Sequence, residues 1–577
     1  MPSGLGRKGR TKKCRNIPPR ASKKSKIDDE TEEILNVNSA SATKLKKLPE
    51  NTSAAAPKDM SGNRIIDMSN FINFIRLMGC SFCHQVGKIG LQREFRQGLY
   101  SKFEFICEAC KQPYSLQSCE KTKSGYTTNV RLVVGIYGIG SHRTGAHRLC
   151  TALNIPPPPV PSSWSKISEK LHNATMIVAE DCMIDAVREY KEDKGLPEGA
   201  LTEATASFDG TWQRRGFQSK NGVTTAVTVN GNKCKVIDTV TLSNHCDACS
   251  KSKKLLSEEE FMDWRSDHLI NFGKNYDGSA GSMEPRGIEI SYRTSVQKYN
   301  LQYTGYLGDG DSKSFSRVAS SDPPIYPGKS IKKLECCGHI QKKIYNRMKK
   351  VVDQNKGKKF QHNGKVYTGL SGKGLLTDKK IKRMQGHYGA AIRGHPCDVP
   401  AMKAAVWAIF YHRSGIHDNC SDWCAATKGD LETANKNVLL PFILEAIRPV
   451  FEELASDTLL NKCKHGGTQN ANESFHHLIW QRCPKSIFVG RKRLEIAVAD
   501  ATIVYNEGEQ AREAIYDKLG IEPGVYTEFG HKVIDNSRIL KSIIASTKKI
   551  KELRKERQIR GAKTVDCLEV EYIPGGF

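Results

Sequence analysis

Residues 204–242 carry three apolar, β-rich segments in close succession, at 206–209, 223–229 and 236–242. Asn221-Gly222 and Asn230-Gly231 stand where hairpin turns would join them. A helical stretch at 251–268 follows, then a strand at 302–308, a short helix at 313–319, a strand at 331–335 and a helix at 341–352. Three antiparallel strands and then αβαβα leave few sheets that the chain can build. The first and fourth strands each end on an acid: Asp209 in Phe208-Asp209-Gly210-Thr211-Trp212, and Asp309 in Tyr306-Leu307-Gly308-Asp309-Gly310-Asp311-Ser312-Lys313. A third acid, Glu473, opens a helical pattern in Thr468-Gln469-Asn470-Ala471-Asn472-Glu473-Ser474. Acids that converge from strand ends offer hard oxygen ligands suited to Mg²⁺ or Mn²⁺, and a pair of such ions can stabilise both oxygens of a phosphoryl transfer.

The charge balance points to the phosphate partner. Lys and Arg number 89 against 62 acids, a net charge of +27, which predicts salt-sensitive attraction to a polyanion. The N-terminus lacks the apolar core of a signal peptide, and no apolar run approaches the ~20 residues of a membrane helix. A soluble, intracellular protein is expected. In that setting 19 cysteines read as reduced thiols and metal ligands rather than disulfides.

At 577 residues the chain is long enough for roughly three or four domains. Residues 1–62 are polar and basic and are expected to form a disordered tail. Their clusters Arg7-Lys8-Gly9-Arg10-Thr11-Lys12-Lys13-Cys14-Arg15 and Arg20-Ala21-Ser22-Lys23-Lys24-Ser25-Lys26 suit nuclear import or nucleic-acid contact, against the plainer reading of a solvated tail. Residues 63–155 hold Cys80-x-x-Cys83 and Cys107-x-x-Cys110, with strand-like Phe103, Phe105 and Ile106 between them. Two such knuckles supply four thiolates to one tetrahedral zinc, so a zinc ribbon is predicted, with a closed, structural ion. The proline run 156–161 marks a boundary. A first part of an α/β core spans 165–352, a mainly helical insertion 353–460, and the completion of the core with C-terminal helices 461–577. The strand and helix order is that of a ribonuclease-H-like mixed sheet.

Asp209-Gly210-Thr211-Trp212, Gly308-Asp309-Gly310-Asp311-Ser312, Glu335-Cys336-Cys337-Gly338-His339 and Thr468-Gln469-Asn470-Ala471-Asn472-Glu473-Ser474 together resemble a Mutator-like transposase of the DDE type. The likeness runs from about residue 65 to Tyr572-Ile573-Pro574-Gly575-Gly576-Phe577. It implies a ribonuclease-H-like core with a helical insertion before the final Glu. It also implies Mg²⁺ or Mn²⁺ on Asp209, Asp309 and Glu473, with cleavage and strand transfer at transposon ends. Double-stranded DNA would be the partner, with assembly as a homo-oligomer on that DNA and a nuclear location. Two other functions stay open: a domesticated nuclear protein that binds DNA without cutting it, and a metal-dependent nuclease on the same fold. Asp311, two residues past Asp309, is the reserve ligand; its position suits a helix cap.

Cys336 and His339 form the family's C-x-x-H, read either as positioning the active site or DNA or as ordinary packing. Further zinc ligands are offered by Cys246, Cys249 and His268. Relatives carry an additional Cys near the position of Phe272, so Cys234 or His245 completes this set or the zinc is lost. Cys420, Cys424, Cys463 and His465 form another candidate set, against the alternative of buried thiols. Gly369-Leu370-Ser371-Gly372-Lys373-Gly374 only loosely resembles a phosphate loop: Tyr367 and Gly374 stand where that loop needs Gly and Ser or Thr. It reads as a turn before a helix near Thr377.

Overall fold

The computed structural model describes residues 39–47, 61–214, 218–268, 273–309, 312–421, 423–436 and 438–547. The two basic N-terminal clusters, Asp311, Phe272 and the C-terminal end Tyr572 to Phe577 lie outside them. Part of the expected disordered tail is ordered. Helix α1 (Ala40–Leu45) is capped by the Ser39 hydroxyl. Ala42 and Leu45 are buried in a cluster with Ile539 and Ile543 of the C-terminal helix Val525–Ser546, and the Lys44 ammonium lies 3.3 Å from the Tyr505 ring centre. Two apolar side chains suffice because they seal a groove that already exists.

Helix α2 (Met68–Arg76) precedes a three-stranded antiparallel sheet of β1 (Ile89–Gln97), β2 (Tyr100–Cys107) and β3 (Pro113–Gln117). Phe103 and Phe105 of β2 pack with Ile89, and Phe71 and Ile75 of α2 cover them. Helices α3 (Thr127–Gly138) and α4 (Pro161–Glu192) follow. Pro161 at the start of α4 fits the orphan donor positions of a first helical turn.

The five-stranded sheet is built from β4 (Thr202–Trp212), β5 (Asn221–Thr228), β6 (Val236–Ser243), β7 (Leu301–Gly308) and β8 (Lys332–Glu335), in the order β8-β7-β4-β5-β6. Pairs β8/β7 and β7/β4 are parallel; β4/β5 and β5/β6 are antiparallel. Helix α5 (Ala280–Tyr299) joins β6 to β7, helix α6 (Ser312–Ala319) follows β7, and helix α7 (Cys337–Gln354) follows β8. Phe208 of β4 stacks on Tyr306 and meets Tyr292 and Tyr303 edge-on or tilted, which fills the core on the α5 face.

Three local readings change. Asn221-Gly222 is not a turn but the start of β5, paired with Trp212 and Leu242. The Asn221 amide is buried and donates to Gln213 and to the Val489 carbonyl. Gly222 serves close approach, since a Cβ there would lie 3.0 Å from the Met283 sulfur. Asn230-Gly231 does turn the chain, with Gly231 at φ +53°. The stretch 251–268 is two helices, Asp247–Leu255 and Glu258–His268. Helix α5 itself escapes the apolar pattern because it contains Pro285, Gly281 and Gly287. Gly287 is required: a Cβ would come within 2.3 Å of the Thr224 hydroxyl, so the helix lies directly on β5.

Residues 337–463 bring together a separate core in which Ile340, Ile344, Met384, Tyr388, Ile409, Phe410, Ile447 and Phe451 are buried. Its helices include α8 (Asp378–Gly394), α9 (Val399–Ser414) and α10 (Pro441–Leu454). This mainly helical segment also contains a hairpin, Lys359–His362 against Lys365–Thr368. Gly369, Gly372 and Gly374 all have positive φ in the turn that precedes the Thr377 cap of α8, as expected of a turn rather than a phosphate loop. Among the described residues, no helix is long and apolar enough to cross a membrane.

Helix α11 (Asn470–Arg482) lies against β4 and β5, and α12 (Arg491–Glu507) against α4. Asp500 of α12 is buried between Arg482 and Arg512, with Arg512 Nε donating at 2.7 Å. Burial opposes its charge, but the two guanidiniums hold its carboxyl below the usual range. Asp500→Ala would leave Glu509 alone to offset both buried cations. We expect a loss of about 3–5 kcal/mol, read as a lower unfolding midpoint, whereas exposed Asp185→Ala should change little.

Candidate active site and metal centres

Two of the acids belong to neighbouring strands: Asp209 lies on β4, and Asp309 directly follows β7. Strand β4 runs parallel to β7 with Ser207 opposite Leu307. Carried two residues past that pair, the same register would bring Asp309 level with Asp209. Strands β7 and β8 end level with each other, at Gly308 and Glu335, while β4 runs on to Trp212. Asp309 is exposed and lies 3.5 Å from His339 Nδ1.

Glu473 arrives from 264 residues beyond Asp209 through its neighbours in the Thr468–Ser474 motif. Gln469 Nε2 donates to the Phe208 carbonyl at 2.8 Å. Asn472 Nδ2 donates to the Ser207 carbonyl at 3.1 Å and to the Thr225 hydroxyl at 3.1 Å. These carbonyls lie where the β4/β7 pairing ends, and side-chain amides take over there. The clamp fixes the first turn of α11 on the two residues before Asp209. Gln469 and Asn472 are buried while Glu473 is exposed, so two members of the motif hold and the third reaches out.

Asp209 titrates far above an ordinary carboxyl, at about 7. Burial is the main cause, followed by the charges of Glu284 and then Glu473; the Gly210 N–H and His339 pull the other way. His476, one turn after Glu473, places Nδ1 3.6 Å from Asp209. That contact is not an ion pair, because burial and Lys485 lower His476 to about 3 and keep it neutral. Its Nε2 lies 3.0 Å from the Thr225 hydroxyl.

Glu284 is an acid that sequence reading passed over. It stands in the second turn of α5, and a Cβ on Gly210 would meet its carboxylate at 2.6 Å. Its other oxygen accepts from the Ser314 hydroxyl of α6 at 3.3 Å. The glycine after Asp209, in Asp209-Gly210-Thr211-Trp212, was the available signal: it makes room for this carboxylate.

Cys336 and His339 are not half of a zinc site among the described residues. Cys336 caps α7, its N–H donates to the Gly308 carbonyl at 3.3 Å, and its sulfur accepts from the Gln469 N–H at 3.4 Å. Burial raises the Cys336 thiol, but hydrogen bonding with His339 outweighs this and holds it below its usual value; the same bond raises His339. The pair links the residue before Asp309 to the start of the Glu473 helix.

Three thiol-rich groups converge elsewhere. Cys80, Cys83, Cys107 and Cys110 come together as the spacing predicts, with sulfur separations of 3.5 Å for Cys80–Cys110 and 3.7 Å for Cys83–Cys107. Hydrogen bonds from the Cys83 backbone and the Tyr114 hydroxyl lower Cys80 to about 6. Cys246, Cys249 and His268 also converge, with Cys246 Sγ 3.2 Å from His268 Nε2. Neither Cys234 nor His245 joins them. Cys234 donates to the Gly231 carbonyl, and His245 contacts Lys220 and Asp247.

The expected set of Cys420, Cys424, Cys463 and His465 does not form. The Cys337 thiol bonds the Cys463 carbonyl, and His465 Nε2 lies 3.1 Å from the Glu335 carbonyl. Both are used up at the junction of β8 and α7. Cys420 and Cys424 instead meet His412 and His417. Spacing alone hid this, because His412 belongs to a helix whose apolar pattern accounts for its neighbours.

The clamp gives a direct expectation. Asn472→Ala leaves the Ser207 carbonyl unpaired in a buried place and should cost about 1–3 kcal/mol, whereas exposed Asn470→Ala should be near neutral. Chemical denaturation of the two variants measures the difference.

Residues 62–424 match the family model described as Mutator-like transposase. No curated protein and no solved structure shows a significant match. With well over half of its length matched, this chain belongs to the Mutator-like transposase family.

Proposed function

We propose that the protein is a nuclear DNA transposase that cleaves strands at the ends of its element and joins them to target DNA. The observation that carries this reading is the setting of the acids: Asp209 lies on β4, Asp309 directly follows the neighbouring β7, and the Gln469/Asn472 clamp seats the first turn of the Glu473 helix on the two residues before Asp209. The strand order β8-β7-β4-β5-β6 supports assigning the sheet to the ribonuclease-H-like class. The donor set is all hard oxygen, and the crowding of Asp209 by Glu284 and Glu473 is what a divalent cation offsets, so the residues fit Mg²⁺ or Mn²⁺. When bound, such ions activate a water or a DNA 3′-hydroxyl and neutralise the leaving oxygen.

The chain's own part is positioning. His339 holds Asp309 at 3.5 Å, and Cys336 ties His339's turn to Gln469. Neutral His476 fills the space under Asp209 without pairing its charge. The net charge of +27 would gather double-stranded DNA, and a homo-oligomer would bridge the two element ends. Zinc on Cys80, Cys83, Cys107 and Cys110 would be structural, whereas Cys246, Cys249 and His268 offer three ligands, one short of a closed site.

The test is incubation of the full chain with candidate terminal-repeat DNA, with Mg²⁺ or with EDTA. We expect Mg²⁺-dependent nicking and strand transfer. Asp209→Asn, Asp309→Asn and Glu473→Gln should each abolish cleavage and leave DNA binding within a few-fold. Binding without cleavage by the wild type points to a domesticated protein; cleavage without joining points to a nuclease.

Asp209 also predicts a pH dependence. Its carboxyl is protonated in the fold up to about pH 7, whereas in the unfolded chain it ionises at the ordinary carboxylate value. Without metal it therefore costs stability increasingly as pH rises between those two values, and the penalty is constant above about 7. Metal competes with that proton. Mg²⁺ affinity should rise about tenfold per pH unit below 7 and level off above it. Calorimetric titration from pH 5.5 to 8.5 reads this, and Asp209→Asn should flatten the profile.

A further inference from the structure

The insertion contains a four-donor cluster that the catalytic site does not use. His412 lies in the last turn of α9, Gly415 turns the chain at φ +88°, and His417, Cys420 and Cys424 follow in the loop. The four ligand atoms lie within 4.8 Å of one another. The two Nδ1 atoms are 3.0 Å apart. Cys424 Sγ is 3.4 Å from His412 Nδ1 and 3.5 Å from His417 Nδ1; Cys420 Sγ is 3.6 and 3.9 Å from the same atoms. A tetrahedral zinc with ordinary bond lengths sets nitrogens about 3.3 Å apart and pairs involving sulfur about 3.5–3.8 Å apart. The cluster matches that geometry with no rearrangement beyond a few tenths of an ångström.

The surroundings also prepare the ligands. His417 Nε2 lies 3.0 Å from Asn435 Oδ1. That oxygen only accepts, so the proton sits on Nε2 and the Nδ1 lone pair faces the cluster, the outer-shell arrangement found around metal-bound histidines. His412 and Cys424 are buried. The His412 ring packs 4.8 Å from Trp423, which reaches 4.5 Å to His387 of α8.

We propose that His412, His417, Cys420 and Cys424 bind one structural zinc ion that staples the 415–436 loop to α8 and α9. Two thiolates and two imidazoles complete the tetrahedron and leave no position for a substrate. The loop needs such a staple: among its described residues the regular pieces are the turn Ala426–Lys428 and the short helix Leu431–Asn435. The inference stands apart from the reading of the chain as a transposase, because it concerns different residues and a different metal.

Maleimide labelling of the full-length protein, read cysteine by cysteine by mass spectrometry, tests it. As purified, Cys420 and Cys424 should resist labelling while exposed Cys397 reacts. A chelator should speed labelling of Cys420 at least tenfold, and added Zn²⁺ should restore protection. His417→Ala should lower the zinc content by one ion per chain, whereas His465→Gln should keep it. Labelling of Cys420 at the same rate with and without chelator overturns the proposal, as does unchanged zinc in folded His417→Ala. If that variant does not fold, the wild-type labelling decides.

Discussion

Two side-chain amides hold the candidate active site together. Gln469 and Asn472 donate to the carbonyls of Phe208 and Ser207, residues 261 and 265 positions earlier in the chain. Everything between, including the 337–463 core, is inserted between these partners. The clamp acts with the buried Phe475 and Ile479 and with the Trp480 N–H on the Thr211 hydroxyl to fix α11 on the sheet, and with it the height of Glu473. An amide N–H that is buried without an acceptor is costly, so these two donor contacts favour one seating of α11 on the sheet.

The electrostatics of the site follow from the same packing. Placing α11 and α5 on opposite sides of the end of β4 brings Glu473 and Glu284 towards one buried carboxyl, and that crowding, with burial, lifts Asp209 to about 7. An ordinary core would relieve this with a lysine or arginine, as it does around Asp500 between Arg482 and Arg512. Beside Asp209 stands His476, which burial keeps neutral. The two acids thus meet opposite surroundings in one fold: Asp500 faces two guanidiniums, whereas Asp209 faces two carboxylates and a neutral imidazole.

Cysteine serves three different physical ends here. In the Cys80–Cys110 group it converges on a point suited to a metal. In Cys336 it accepts a backbone hydrogen bond and engages His339. In Cys463 it is fully buried at a helix junction. Residue type alone separates none of these; the direction of each thiol does.

Sequence by itself determined what local chemistry enforces. The Cys80-x-x-Cys83 and Cys107-x-x-Cys110 knuckles, the five strands and the position of Asp309 just past β7 follow from short-range spacing and period, whereas Asp209, read as a strand end, lies within β4. The turn at Gly369–Gly374 and the cap at Thr377 follow in the same way. Tertiary structure decided whatever rests on close approach between distant segments. Asn221-Gly222 reads as a turn, but Met283 makes the glycine necessary within a strand. Helix α5 is masked by Gly287, whose missing side chain lets the helix touch Thr224. Glu284 became visible only once α5 lay against Gly210. His412 replaced Cys463 beside Cys420 because α9 and the following loop fold back on each other, while Cys463 was already committed to α7. Local spacing reports which residues are able to act; which of them meet is fixed by packing, and packing is written in pairs of positions hundreds of residues apart.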